Sequence, residues 1–136
     1  MPDTSNAQPS ILPGLAGQVL FVLRNANFQS TADQAFTKVF SGTNYRITDI
    51  MAKQKTGAAS VVCAGGIYDA AAKAGNAIVG VGQSWVTLSS GVTVNGVLAG
   101  VVSTALLNSS TLFLSLTTGS TGAVTGDIFV FGYPID

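Results

Sequence analysis

Two stretches decide the fold: Thr111-Leu112-Phe113-Leu114-Ser115-Leu116-Thr117 and Gly126-Asp127-Ile128-Phe129-Val130-Phe131-Gly132-Tyr133. In the first, Leu112, Leu114 and Leu116 share one face of an extended chain and Thr111, Ser115 and Thr117 share the other, with Phe113 as the exception. A period of two is the mark of a strand with one buried face, because successive side chains point to opposite sides of a pleated backbone. In the second, Ile128 and Val130 lie on one face, and Phe129, Phe131 and Tyr133 on the other. Both faces are apolar, so this strand is expected to be covered on two sides. The Gly- and Thr-rich run 118–123 between them suits a connection of antiparallel strands, and the pair reads as a long hairpin.

Working outward, the rest of the chain repeats the same grammar of short segments rich in Val, Ile, Thr and aromatics, separated by Gly, Asn and Ser. Strands are expected at 18–23, 36–40, 45–53, 60–63, 77–81, 85–88, 92–94 and 97–102. The only helix candidate, 68–75, ends at a glycine but lacks an apolar stripe. These elements predict an all-β chain, an antiparallel β-sandwich of jelly-roll type, with a small β-barrel as the alternative. No internal repeat is visible.

Residues 1–17 differ from the domain at 18–136, since three of the four prolines, Pro2, Pro9 and Pro13, fall there. Proline fixes φ and biases its predecessor towards extended backbone, so this segment reads as an extended arm. Ile11, Leu12 and Leu15 are apolar in a segment that solvent alone does not require to be so. The arm is either a frayed terminus or a contact element for a neighbouring subunit, and in the second case Pro9, Ile11, Leu12, Pro13 and Leu15 carry the contact. In the domain, Phe129, Phe131 and Tyr133 are the strand residues best suited to an interface, because aromatic rings supply large area at low entropic cost. Core packing is the competing reading for each of them.

Composition points the same way. Charged residues make up 9% of the 136-residue chain, against about 25% in ordinary soluble domains, and six cations balance six anions. A free monomer normally depends on surface charge to stay apart from its neighbours, so this chain is expected to form a homo-oligomer or a larger assembly. Six scattered cations form no basic stripe, which argues against nucleic acid. The most apolar stretch, 97–107, is too short to span a bilayer as a helix and contains Gly100, Ser103 and Thr104. The first residues show neither a basic nor an apolar signal region, so the product is expected to stay in the compartment where it is made.

The chain has no histidine and no glutamate. That removes the commonest general base, the Ser-His-Asp and Cys-His arrangements, and most zinc and iron sites. The six aspartates, Asp3, Asp33, Asp49, Asp69, Asp127 and Asp136, are too widely spaced for a calcium loop. Gly80-Val81-Gly82 is followed by Trp85 where a dinucleotide fingerprint needs glycine, and Gly119-Ser120-Thr121-Gly122 has no lysine after it. Cys63 has no partner for an internal disulfide and reads as a small buried hydrophobe. Lys38 and Arg46 are expected to meet Asp33 or Asp49 across a sheet as solvated charges. No enzyme activity, catalytic residue, metal or cofactor is expected.

The runs Asn27-Phe28-Gln29-Ser30-Thr31-Ala32-Asp33-Gln34-Ala35, Tyr45-Arg46-Ile47-Thr48, Gly65-Gly66-Ile67-Tyr68 and Leu112-Phe113-Leu114-Ser115-Leu116-Thr117 together resemble small virion structural proteins of tailed bacteriophages. The resemblance is closest to head decoration, or cement, proteins. It implies a component that trimerises on the head exterior, binds major capsid protein and stabilises the shell after synthesis in the host cytoplasm. A tail or head-fibre module that binds host-surface carbohydrate is the alternative. The similarity covers most of the chain after residue 17 and brings no named functional residues.

Overall fold

The structure, a computed structural model, describes residues 17–56, 63–86, 97–102 and 105–135. The strands in order are β1 (Gln18–Asn27), β2 (Gln34–Ala35), β3 (Thr37–Lys38), β4 (Tyr45–Thr56), β5 (Ala64–Tyr68), β6 (Ala77–Val79), β7 (Val97–Ala99), β8 (Phe113–Thr118) and β9 (Thr125–Pro134). They form a five-stranded sheet, β3-β1-β9-β4-β7, and a four-stranded sheet, β2-β8-β5-β6. Every pairing is antiparallel, and the described residues contain no α-helix. The all-β sandwich expected from the sequence is therefore what the chain adopts.

The order of the strands follows a simple rule. β1 pairs with β9, β2 with β8, β4 with β7 and β5 with β6, so each inner pair is nested within an outer one. Two described segments pair with both sheets in turn. The chain at 34–38 pairs first with β8 and then with β1. The chain at 97–102 pairs first with β4, after which Val101 bridges Val79 beside β5. Both links help to close the edges of the sandwich, where unpaired backbone groups would otherwise be exposed.

Between the sheets lies a core in which Leu20, Phe21, Phe28, Ile50, Ile67, Ile78, Trp85, Leu112, Leu114, Ile128 and Val130 are fully buried. Each large side chain of this kind contributes roughly 1.5–3 kcal/mol relative to exposure, offset by the entropy of ordering the chain. Leu112, Leu114 and Leu116 are buried as their alternation requires, but Ser115 on the opposite side is buried too, facing Asp33. Cys63 is a buried free thiol, and burial pushes its pKa up.

Bulges account for two departures from strict alternation. In β1 the register with β9 shifts between Val19 and Phe21, which lets the adjacent residues Leu20 and Phe21 both enter the core. In β4 it shifts between Ile47 and Asp49, so Ile47 and Ile50 are both buried while Thr48 and Asp49 are exposed.

One expectation needs correction. β8 and β9 are not a hairpin, since they lie in different sheets. Their six-residue connection arches between sheets and rests on the end of β1, where Ser120 N–H donates to the Phe28 carbonyl at 2.8 Å. Gly119 fits there because a Cβ would stand 2.2 Å from the Gln29 carbonyl oxygen. A strand that the sequence reading does not anticipate, 64–68, includes Gly65 and Gly66. These glycines permit close approach, since Cβ atoms on them would lie 2.3 Å from the Leu116 Cα and the Val79 carbonyl oxygen respectively. The helix candidate at 68–75, which lacks an apolar stripe, does not form, and 69–76 is a turn. The expected strand at 92–94 and most of that at 60–63 lie outside the described residues.

Candidate interaction surface

The residues of β9 alternate without interruption. Gly126, Ile128, Val130 and Gly132 are buried against the other sheet, while Asp127, Phe129, Phe131 and Tyr133 point away from it and are half-buried. Because β9 is the middle strand of five, these three rings stand at the centre of the sheet's outer face. The expectation that both faces of this strand are apolar holds, but only the inner face is covered by the second sheet.

The cross-strand register sets the neighbours of the rings. On β1, Val22 stands opposite Phe129 and Val19 opposite Phe131, and both valines are half-buried. On β4, Met51 is opposite Phe129, Asp49 opposite Phe131 and Arg46 opposite Tyr133, all exposed. The result is an apolar stripe over β1 and β9, continued by Met51 and bordered by charges on β4. An antiparallel sheet with one wet face normally carries polar side chains there. Here the most central positions are aromatic.

One end of the stripe is closed by Arg24. Its guanidinium lies 5.1 Å above the Phe129 ring, and its Nη1 bonds Asp127 Oδ2 at 3.1 Å. Asp127 also accepts the Asn25 N–H at 2.9 Å, which helps to hold Asn25 at its positive φ of 56°. At the other end, Gly17 has φ +76°, and a Cβ on it would stand 3.4 Å from the Gly132 carbonyl oxygen and 3.6 Å from Thr48 Oγ1. Gly132 belongs to β9 and Thr48 to β4, so a side chain at position 17 would point over β9 towards β4.

Where the aromatics go is thus divided. Phe21, Phe40 and Tyr45 form a cluster of edge-to-face pairs with centroids 5.2–5.9 Å apart. Trp85 is fully buried, stacks obliquely on Phe28 at 5.7 Å and donates its indole N–H to the Gly65 carbonyl at 3.1 Å. These are core residues, whereas Phe129, Phe131 and Tyr133 lie on the outside. The arm residues Pro9, Ile11, Leu12, Pro13 and Leu15 lie outside the described residues.

The described carboxylates for which partners can be named hold local structure. Asp33 accepts the Ala72 N–H at 2.6 Å, which depresses its pKa, with the Ser115 hydroxyl and the Lys73 charge acting in the same direction against partial desolvation. Asp69 accepts from the backbone and side-chain nitrogens of Asn76 at 2.6 and 2.8 Å. Asp127 holds Arg24 and Asn25 as described. Lys38 does not meet Asp33; its ammonium donates to the Gly42 carbonyl and sits 4.5 Å from the Phe40 ring. Burial, and secondarily the Asp69 charge, push the Tyr45 hydroxyl far above its ordinary pKa, and it donates to the Ser109 carbonyl at 2.9 Å.

Among the described residues no group of three or more His, Cys, Asp or Glu side chains is placed to hold a metal ion, and no helix is long and apolar enough to cross a membrane. No known protein family, curated protein or solved structure matches the chain.

Proposed function

We propose that this chain is a non-enzymatic virion structural protein that decorates the exterior of a phage head, binding major capsid protein and associating with copies of itself, most simply as a trimer. The observation that carries the reading is the apolar stripe of Phe129, Phe131 and Tyr133 at the centre of an outer sheet face, on a chain with very few charges. A stripe of this kind gains by leaving water, and aromatic anchors dominate the energetics of protein contacts. The carboxylates Asp33, Asp69 and Asp127, each engaged in holding a turn or strand, favour a structural role over a catalytic one.

The fold is compatible with this reading. Nested pairing of first with last strands is the pattern of a single long ribbon rolled upon itself, and it supports the jelly-roll form of sandwich, which recurs in viral capsid proteins and in lectins. Fold alone does not assign function, and the same architecture admits the carbohydrate-binding alternative.

Copy number separates the two. Quantitative mass spectrometry of purified particles is expected to find on the order of hundreds of copies of the chain per head. A handful of copies per particle, together with binding to host-surface glycan, would replace decoration with the fibre reading.

A further inference from the structure

We propose that the free chain forms a two-fold dimer through the outer face of its five-stranded sheet. In this dimer Asp49 of each copy faces Lys53 of the other. The inference rests on the reading of that face as an interface and names its occupant before a head is met. It starts from the outer residues of β4. Asp49, Met51 and Lys53 stand opposite Phe131, Phe129 and Asp127 of β9, and all three are exposed. Along this row an anion and a cation flank an apolar side chain, each about 7 Å from it along the strand.

Such a row is complementary to itself. When two sheets stack face to face about an axis lying between them, perpendicular to the strands and level with Met51, their strands run antiparallel and Asp49 meets Lys53 twice. The same operation brings the two Phe129 side chains together and carries Phe131 over the Arg24–Asp127 ion pair of the other copy. An axis parallel to the strands would instead set Lys53 over Arg24, which lies level with it beside Asp127, and like charges would meet. The charges therefore select one orientation of the second copy.

The area fits the same occupant. Five strands about 4.8 Å apart and the ten residues of β9 give a face of at most about 24 by 34 Å, about 800 Å², which is what one partner contributes to a standard stable interface. Two copies stacked in this way cover the aromatic stripe until an assembly partner takes the place of one of them.

Charge exchange on the full chain, read by sedimentation equilibrium, tests this. The parent is expected to be a dimer. Asp49→Lys and Lys53→Asp are at exposed positions and are expected to keep the circular dichroism of the parent. Each is expected to weaken the dimer by about tenfold or more, since two attractive pairs become two repulsive ones. An equimolar mixture of the two single variants is expected to regain the parental dissociation constant, because both facing pairs of the mixed dimer again have opposite signs. Within one chain positions 49 and 53 are about 14 Å apart, too far for an ion pair, so only a contact between chains gives this recovery. A parent that is monomeric or trimeric, a smaller weakening, or a mixture that stays dissociated would overturn the proposal. No head enters the measurement, so its failure leaves decoration standing, and a chain that does not bind heads leaves the dimer standing.

Discussion

The guanidinium of Arg24 covers the ring of Phe129 at 5.1 Å while bonding Asp127 at 3.1 Å, so one exposed cation closes the apolar stripe at its β1 end. The two partners are unequal, because Asp127 also accepts the Asn25 N–H. Arg24→Ala removes an exposed ion pair and a surface cation–π contact, and is expected to lower stability by at most about 1 kcal/mol. Asp127→Ala also strips the Asn25 amide of its partner and is expected to cost about 1–2 kcal/mol. Urea midpoints of the two variants check the order.

Trp85 anchors the core through a bond that phenylalanine cannot make. Trp85→Phe leaves the buried Gly65 carbonyl without its indole donor and leaves unfilled volume beside Phe28. The expected loss is about 2–4 kcal/mol, read from chemical denaturation, with the fold retained.

Ala72 and Lys73 hold positive φ values of 59° and 60° in the 69–76 turn. A left-handed conformation costs a residue with a Cβ about 1 kcal/mol or more, part of which glycine returns through its greater freedom when unfolded. Lys73→Gly is therefore expected to leave stability unchanged or to raise it by up to about 1 kcal/mol, seen as a higher melting temperature. Ala72→Pro, which cannot adopt this φ and removes the N–H held by Asp33, is expected to destabilise.

The same turn carries a pH dependence whose sign is fixed. The Ala72 N–H chiefly, with Ser115 and Lys73, depresses the Asp33 pKa below its ordinary value of 3.8. The folded state thus favours the ionised carboxylate, and Asp33 contributes stability above that ordinary value which is lost as pH falls through the depressed one. Asp33→Asn is expected to flatten the acid limb of a stability-against-pH curve while changing little in slope near neutrality.

Much of this architecture is legible in the sequence where a side chain alone decides its face. Leu112, Leu114 and Leu116 announce a strand with one buried side, and Phe129, Phe131 and Tyr133 announce a strand apolar on both. What is not legible depends on distant partners. Thr118–Ala123 reads as a hairpin turn because local composition cannot say whether β9 pairs with β8 or with β1 and β4. Gly65 and Gly66 look like a break, yet they are strand residues whose missing side chains make room for Leu116 and Val79. The candidate surface was half readable: its aromatics stand out, but Val19, Val22, Met51 and Arg24 join it only through register.

We propose that the outer face of β9 makes the assembly contact. The most direct test is co-sedimentation of a Phe129→Ser, Phe131→Ser double variant with purified heads lacking the wild-type chain. Both residues point away from the core, so the variant is expected to fold, with a cooperative melt and the circular dichroism of the parent, and to remain in the supernatant. A folded double variant that pellets with heads as fully as the parent would contradict the account.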